Sequence, residues 1–303
     1  MSSAELATVK ERLGLPMRRI ASDIDLQFDM LLPVPADPSG QLFQAIRHAA
    51  IGGGKRLRPL LACASADLFA VPRHYSLRTG LAVECVHVHS LIHDDLPCMD
   101  DDDWRRGKPT VHKAFDEASA VLAGDSLLAL AFEILCDPET HPLASVRAEL
   151  ACELARAAGA AGMAGGQMLD LTASETSDMD AITRLQRLKT GALIVWSVEA
   201  GAILGGASAE QRTSLRGYAQ KVGLAFQIAD DLLDAQGDER AVGKKLHKDA
   251  AQGKASFVTL LGVERARQQA ETLVEQAVEH LRCFASSAEL LVDIAAFAVQ
   301  RDH

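Results

Sequence analysis

The chain has 303 residues, 48% apolar and only 4% aromatic, with a formal net charge of −10. That acidic balance weighs against nucleic acid as a partner and against a polybasic membrane anchor. No uncharged run reaches the ~18 residues a bilayer span needs, so no membrane span is expected. Six cysteines (Cys63, Cys85, Cys98, Cys136, Cys152 and Cys283) include no Cys-x-x-Cys pair. Set in apolar helical stretches, they predict buried, reduced thiols and a cytoplasmic location.

The first twenty residues mix Glu, Lys and Arg with apolar residues and hold no signal-type apolar core. Helical patterning then fills 17–31, 40–51, 58–68, 77–96, 116–136, 145–166, 181–187, 191–206, 209–236, 255–284 and 287–301. Polar turns at 33–39, 137–144 and 172–180 separate several of these. Ala and Leu dominate, and alternating β-branched runs are scarce. The expected fold is all-α: one domain over 1–303, an antiparallel bundle of about ten core helices with its sites built in a deep central cavity.

Taken along the chain, the first chemical signal is Gly52-Gly53-Gly54-Lys55-Arg56-Leu57-Arg58-Pro59. Three glycines allow close approach to an anion, and the cations follow at once. The spacing is not that of a nucleotide P-loop. The helix 77–96 carries His87, His89, Ser90 and His93 into the cluster Asp94-Asp95-Leu96-Pro97-Cys98-Met99-Asp100. Pro97 cannot continue a regular helix, so the helix ends or bulges there and Asp100 swings back towards Asp94. Arg105-Arg106-Gly107-Lys108 follows. Further on come Lys189-Thr190-Gly191, then Gln227 and the second cluster Asp230-Asp231-Leu232-Leu233-Asp234, then Gly243-Lys244 and Gly253-Lys254.

Asp230 and Asp234, four apart, share one helix face, with Asp231 about 100° round. Both clusters follow apolar stretches, where unpaired carboxylates are costly. An oxygen-only ligand set points to Mg²⁺, and the cations beside each cluster point to polyanions in the same cavity. His89 and His93 are also four apart and could chelate zinc, but the sequence offers no obvious third His or Cys ligand. His93 reads as a hydrogen-bonded structural residue, and Trp104 as packing on the Arg105-Arg106 loop.

These ordered motifs, with Gly165-Gly166-Gln167 between them, resemble the trans-isoprenyl diphosphate synthase (polyprenyl synthetase) family from about Gln41 to Arg301, closest to its bacterial farnesyl diphosphate-forming members. The resemblance implies a homodimer, isopentenyl diphosphate and an allylic diphosphate as substrates, and about three Mg²⁺ per site. It implies that Asp94, Asp95, Asp100, Asp230 and Asp234 hold the metal. Arg105, Lys189, Lys244 and Lys254 would hold the allylic diphosphate, and Lys55, Arg58, His87 and Arg106 the isopentenyl diphosphate. Thr190 and Gln227 would line the reacting centre, with Asp249 orienting Lys244 or a metal-bound water. The segment 237–253 is a candidate lid.

The family carries a bulky residue, commonly aromatic, five before the first aspartate, where it floors the tail pocket. Here it is His89, with small Ser90 beside it. The expectation is a C15 product, with C20 the main rival and C10 a lesser one. A terpene cyclase or head-to-head synthase on the same fold would not need the Gly-Gly-Lys-Arg-x-Arg segment or Gly253-Lys254. A non-catalytic subunit could have lost an aspartate cluster, and both are present.

Overall fold

The computed structural model describes residues 3–173, 178–236 and 255–299. Helices dominate it: α1 (Ser3–Leu31), α2 (Gly40–Ala50), α3 (Leu57–Asp67), α4 (Arg73–Asp94), the single turn α5 (Val111–Ala114), α6 (Glu117–Cys136), α7 (Ala144–Ala158), α8 (Met163–Leu171) and α9 (Met179–Gln186). A π-helical turn, Arg187–Gly191, leads into α10 (Ala192–Leu204). Then come α11 (Ala209–Gln236), α12 (Phe257–Leu261), α13 (Val263–His280), a 3-10 turn (Arg282–Ala288) and α14 (Glu289–Val299). The all-α expectation holds, with one addition. A two-residue strand β1 (Trp104–Arg105) pairs antiparallel with β2 (Lys108–Pro109).

The innermost helix is α10. Its sequence Ala-Leu-Ile-Val-Trp-Ser-Val-Glu-Ala-Gly-Ala-Ile-Leu is apolar nearly all round, and most of its residues are buried. A helix of that kind is stable only when others surround it. It packs against α3, α4, α7 and α11. A second, smaller apolar cluster joins Ile182 of α9, Ala225 and Ile228 of α11, Phe257 of α12 and Leu273 of α13. Among the described residues, α6 alone is long and apolar enough to cross a membrane. It buries Ala120, Ala123, Leu127 and Ala131, and α4 packs along it.

Several boundaries differ from the sequence reading. The first helix begins not at residue 17 but at Ser3 and runs through Pro16. Proline inside a helix costs about 3 kcal/mol, yet Val9, Leu13, Ile20, Ile24 and Phe28 form one fully buried stripe across it. Burying these side chains, at roughly 1.5–3 kcal/mol each, outweighs that cost. The expected helix 145–166 is two, parted at Gly159–Gly162, where Gly162 N–H donates to Gly159 O at 2.9 Å. The expected helix 255–284 breaks at Gly262, whose φ is 77°. Only Cys63 and Cys85 are buried; the other four cysteines are exposed, and all six are free thiols. The expectation of buried cysteines failed because each exposed one sits on a solvent side of its helix or turn.

Between α2 and α3, Arg56 adopts a left-handed conformation (φ 48°) and is buried. Its Nη1 donates to Glu84 Oε1 of α4 at 2.7 Å, and its Nη2 to Asp25 Oδ1 of α1 at 2.7 Å and to the Ala50 carbonyl of α2. One guanidinium thus ties three helices to the glycine-rich loop. Removing the charge of Glu84 weakens one of two carboxylate pairings, while Asp25 still faces the guanidinium. Glu84→Gln should lower unfolding free energy by about 1–3 kcal/mol in urea denaturation; an unchanged stability would show that Asp25 and Ala50 alone satisfy Arg56.

Candidate functional site

The first acidic cluster sits where α4 stops. After Asp94 the chain folds back: Met99 N–H donates to Leu96 O at 2.9 Å, and Asp100 N–H to Asp94 O at 2.8 Å. Asp101 takes a positive φ of 50° to complete the bend. Pro97 therefore does end the helix, and Asp100 returns to Asp94 as expected. Burial raises the Asp94 carboxyl to about 6, and Asp100 and Asp95 add to the rise, while Lys189 and Arg105 oppose it.

Asp95 has a different position from its neighbours. It is buried, and Arg105 Nε donates to its Oδ1 and Oδ2 at 2.7 and 2.9 Å, with Arg105 Nη2 2.6 Å from Oδ1. Both oxygens of Asp95 are thus engaged by a guanidinium. Asp94 and Asp100 are the two carboxylates of the cluster left facing each other's charge. Arg105 lies on β1, and the turn to β2 is Arg106-Gly107, both with positive φ (53° and 74°). That is the primed turn a two-residue hairpin favours. Trp104, expected to pack on this loop, is 64% exposed.

The hairpin carries Arg106 across to the glycine-rich loop. Its Nη1 donates to Gly53 O at 3.3 Å, and its Nη2 lies 3.5 Å from His87 Nε2. A Cβ at Gly54 would stand 2.6 Å from the Arg106 guanidinium carbon, and Gly54 itself has φ 84°. Only glycine meets both demands. Arg58 lies near Glu84, Arg106 and Asp230 in a buried setting that lowers its pKa, and its Nε has no hydrogen-bond partner. Burial, then Arg58 and Arg106, push His87 well below the ordinary histidine value, so it is a neutral imidazole. Lys55 is exposed, with its Nζ 5.5 Å from the Phe297 ring centre.

The π turn presents Lys189 and Thr190. Lys189 Nζ pairs with Asp170 Oδ2 of α8 at 2.9 Å and also feels Asp94 and Asp100. Gly166 of α8 lets this happen: a Cβ there would lie 2.1 Å from the Lys189 backbone nitrogen. On the other side, Gly223 of α11 meets Gly191 with 3.5 Å from its would-be Cβ to the Gly191 Cα. The second cluster lies further along α11. Asp230 and Asp234 share its face, with Gln227 one turn before Asp230. Asp231 is buried and accepts Phe257 N–H at 2.8 Å, so it caps α12. Lys244, Asp249 and Lys254, with the candidate lid 237–253, lie outside the described residues.

These elements surround a cavity of about 460 Å³. Arg58, His87, Asp94, Lys189 and Thr190 give it polar lining, and Met163, Met168 and Leu171 apolar lining. His89 and Ser90 open on the same cavity. His93 is hydrogen-bonded as expected, its Nε2 3.2 Å from Val121 O. One residue with functional geometry escaped the sequence reading: Asp170, which pairs with Lys189. Gln167, read only as part of the Gly165-Gly166-Gln167 motif and given no role, is buried with both amide atoms lacking a partner. The signal for Asp170 was a second polar residue three after Gln167 on an apolar helix segment.

The arrangement sets an acidic group and a donor-rich group along one cavity: Asp94 lines it with Asp100 nearby, and Arg58 and His87 line it with Arg106 beside His87. Burial disfavours the charged form of Asp94, and the donors of Asp94 and Asp100 are all oxygen. That set suits a hard divalent cation such as Mg²⁺. Arg58, Arg106 and neutral His87 offer N–H donors to an anion.

Residues 40–292 match the family model "Polyprenyl synthetase". The chain is 43% identical to the farnesyl diphosphate synthase of Escherichia coli (strain K12) over 265 residues, 86% of this chain and 89% of that protein. It is 40% identical to the geranylgeranyl diphosphate synthase of Cyanophora paradoxa over 264 residues, 86% and 88% of the two chains. The apo crystal structure of an FPP/GFPP synthase from Zymomonas mobilis superposes with a TM-score of 0.87 at 55% identity, covering 95% of this chain and 99% of that one.

The raised Asp94 value fixes the direction of a pH effect. Its carboxyl is raised from 3.8 to about 6, so below that value a proton occupies the position a metal would take. Mg²⁺ affinity should be nearly flat above about pH 7 and fall roughly tenfold per pH unit below about pH 6. Calorimetric titration measures this; an affinity unchanged down to about pH 5 would remove Asp94 from the metal's ligands.

Proposed function

This chain belongs to the polyprenyl synthetase family and is a prenyltransferase, and on that premise we propose that it joins isopentenyl diphosphate head-to-tail to dimethylallyl and then geranyl diphosphate, giving (2E,6E)-farnesyl diphosphate. The observation that carries this reading is one cavity lined by the half-buried Asp94 carboxyl, with Asp100 beside it, and by Arg58 and neutral His87, with Arg106 bordering His87. The acidic group suits a metal-bound allylic diphosphate and the donor-rich group a second diphosphate.

In this reading Asp94, Asp100, Asp230 and Asp234 hold Mg²⁺, three ions per site. Bound Mg²⁺ neutralises the charge that develops on the leaving diphosphate. Asp95 holds Arg105, which with Lys189 binds the allylic diphosphate from the protein side. Lys244 and Lys254 join them. Lys55, Arg58 and Arg106 bind the isopentenyl diphosphate, and His87, being neutral, donates one N–H to it. The allylic C–O bond breaks, the isopentenyl double bond attacks the allylic carbon, and the departing diphosphate takes the proton lost from the adduct. Thr190 and Gln227 line the reacting carbons. Exclusion of water protects the cation.

The protein acts as a cytoplasmic homodimer; the exposed Val121 and Leu122 on α6 support a second copy docking there. A geranylgeranyl product is the second reading, since relatives bear both farnesyl and geranylgeranyl names, and Ser90 leaves room beside His89. A geranyl product is a lesser rival.

Incubation with labelled isopentenyl diphosphate, dimethylallyl or geranyl diphosphate and Mg²⁺ should yield a C15 alcohol after dephosphorylation. No elongation from either primer would overturn the synthase reading in favour of a cyclase or a non-catalytic subunit. Asp94→Ala and Asp230→Ala should each lower kcat by roughly 10²-fold or more; near-normal turnover would count against metal binding there. His89→Ala should lengthen the product, and an unchanged chain-length distribution would refute its role as floor.

A further inference from the structure

We propose, resting on the synthase reading and its α6 homodimer, that the cavity is incomplete in one chain. A second copy seals its apolar end across α6 and α8, and the length of product it holds is set in part at that contact. Four exposed apolar side chains gather there. Met168 and Leu171 of α8 line the cavity, yet they are 61% and 42% exposed. Val121 and Leu122 of α6 are 41% and 54% exposed. His93 joins the two pairs: it lines the cavity, and its Nε2–H donates to the Val121 carbonyl at 3.2 Å.

Met168 and Leu171 thus face the cavity on one side and solvent on the other. In a single chain, an apolar tail lying past His89 and Ser90 would be parted from water by these side chains alone. That arrangement leaves apolar surface wet and lets water reach an allylic cation. A protein surface laid over Met168, Leu171, Val121 and Leu122 removes both faults at once.

The composition of α6 identifies the covering surface. This helix is apolar enough to cross a membrane, but its own chain buries only 39% of that stretch. One side, with Ala120, Ala123, Leu127 and Ala131, is buried, and α4 and α2 pack on the helix. The outer side carries Ala118, Val121, Leu122, Asp125 and Ala129 at helical spacing, all exposed. Lipid does not suit this side, because the Asp125 carboxylate stands in its middle and charge at mid-helix is strongly disfavoured there. At a contact between proteins the carboxylate keeps water or a polar neighbour, and Asp125 Oδ1 already lies 3.9 Å from His93 Nε2. Ala118 and Ala129 are small enough for another helix to approach closely. One patch that is apolar and small in both copies is self-complementary, as a two-fold contact requires.

Methionine oxidation reads the seal without any turnover. Met168 and Met30 of α1 are almost equally exposed in the single chain, 61% and 59%. The full-length protein is treated with dilute hydrogen peroxide, and sulfoxide at each position is followed by peptide mass spectrometry. In the parent, a dimer by light scattering, Met168 should oxidise at least about fivefold more slowly than Met30. Leu122→Glu should be a monomer with the parent's circular dichroism, and its Met168 and Met30 should oxidise at similar rates. Val121→Glu takes its place should Leu122→Glu lose the parent's circular dichroism. Given labelled isopentenyl diphosphate, geranyl diphosphate and Mg²⁺, the monomer should release geraniol or make chains beyond the parent's product. A monomeric parent, equal oxidation of the two methionines in the parent, a Leu122→Glu protein that stays dimeric, or a monomer with the parent's product distribution would each overturn the proposal. No elongation by the parent would overturn the synthase reading alone, and the oxidation rates would still decide whether a second copy seals the cavity.

Discussion

The fork between Arg105 and Asp95 is the contact on which the site's layout rests. It clamps the β1–β2 hairpin to the end of α4. That clamp sets Arg106 against the glycine-rich loop and His87, while Arg105 stays beside Asp94. This bidentate pair, with Arg106 on the Gly53 carbonyl and Lys108 on the Ile51 carbonyl, holds the spacing of the acidic and basic groups. A lysine at 105 would be a point charge without the planar fork that fixes the hairpin's angle.

Helix existence was legible in the sequence because apolar spacing is a local property. Boundaries were less so wherever burial overrode a local signal. Pro16 reads as a stop, yet the buried stripe from Val9 to Phe28 carries the helix through it. Gly159 and Gly162 read as small helical residues beside alanines, and only the packing of α8 shows why the chain turns there. The left-handed Arg56 has no sequence signature at all, since its conformation is sustained by partners on three helices distant in sequence.

Within the site, the same divide recurs. The fold-back that returns Asp100 to Asp94 follows from Pro97 and was readable. The division of labour among neighbouring aspartates was not. Asp95 and Asp231 are indistinguishable in sequence from the residues beside them, but one is spent on Arg105 and the other caps α12. Asp170 was invisible because its partner Lys189 lies on a different element, brought near by the absence of a side chain at Gly166. In each case the missing information was a pairing across helices.

The π turn at Arg187–Gly191 has a consequence for how α9 and α10 coexist. One extra residue in a helix advances the following side chains by about 100°. The turn is a phase step between two different repeats. Before it, α9 keeps a one-sided apolar stripe towards α11 and α12; after it, α10 is apolar nearly all round. Were the step removed, the stripe and the all-round core would have to share one angular frame. Lys189 and Thr190 sit on the step itself, so the residues that face the cavity are those whose direction belongs to neither repeat.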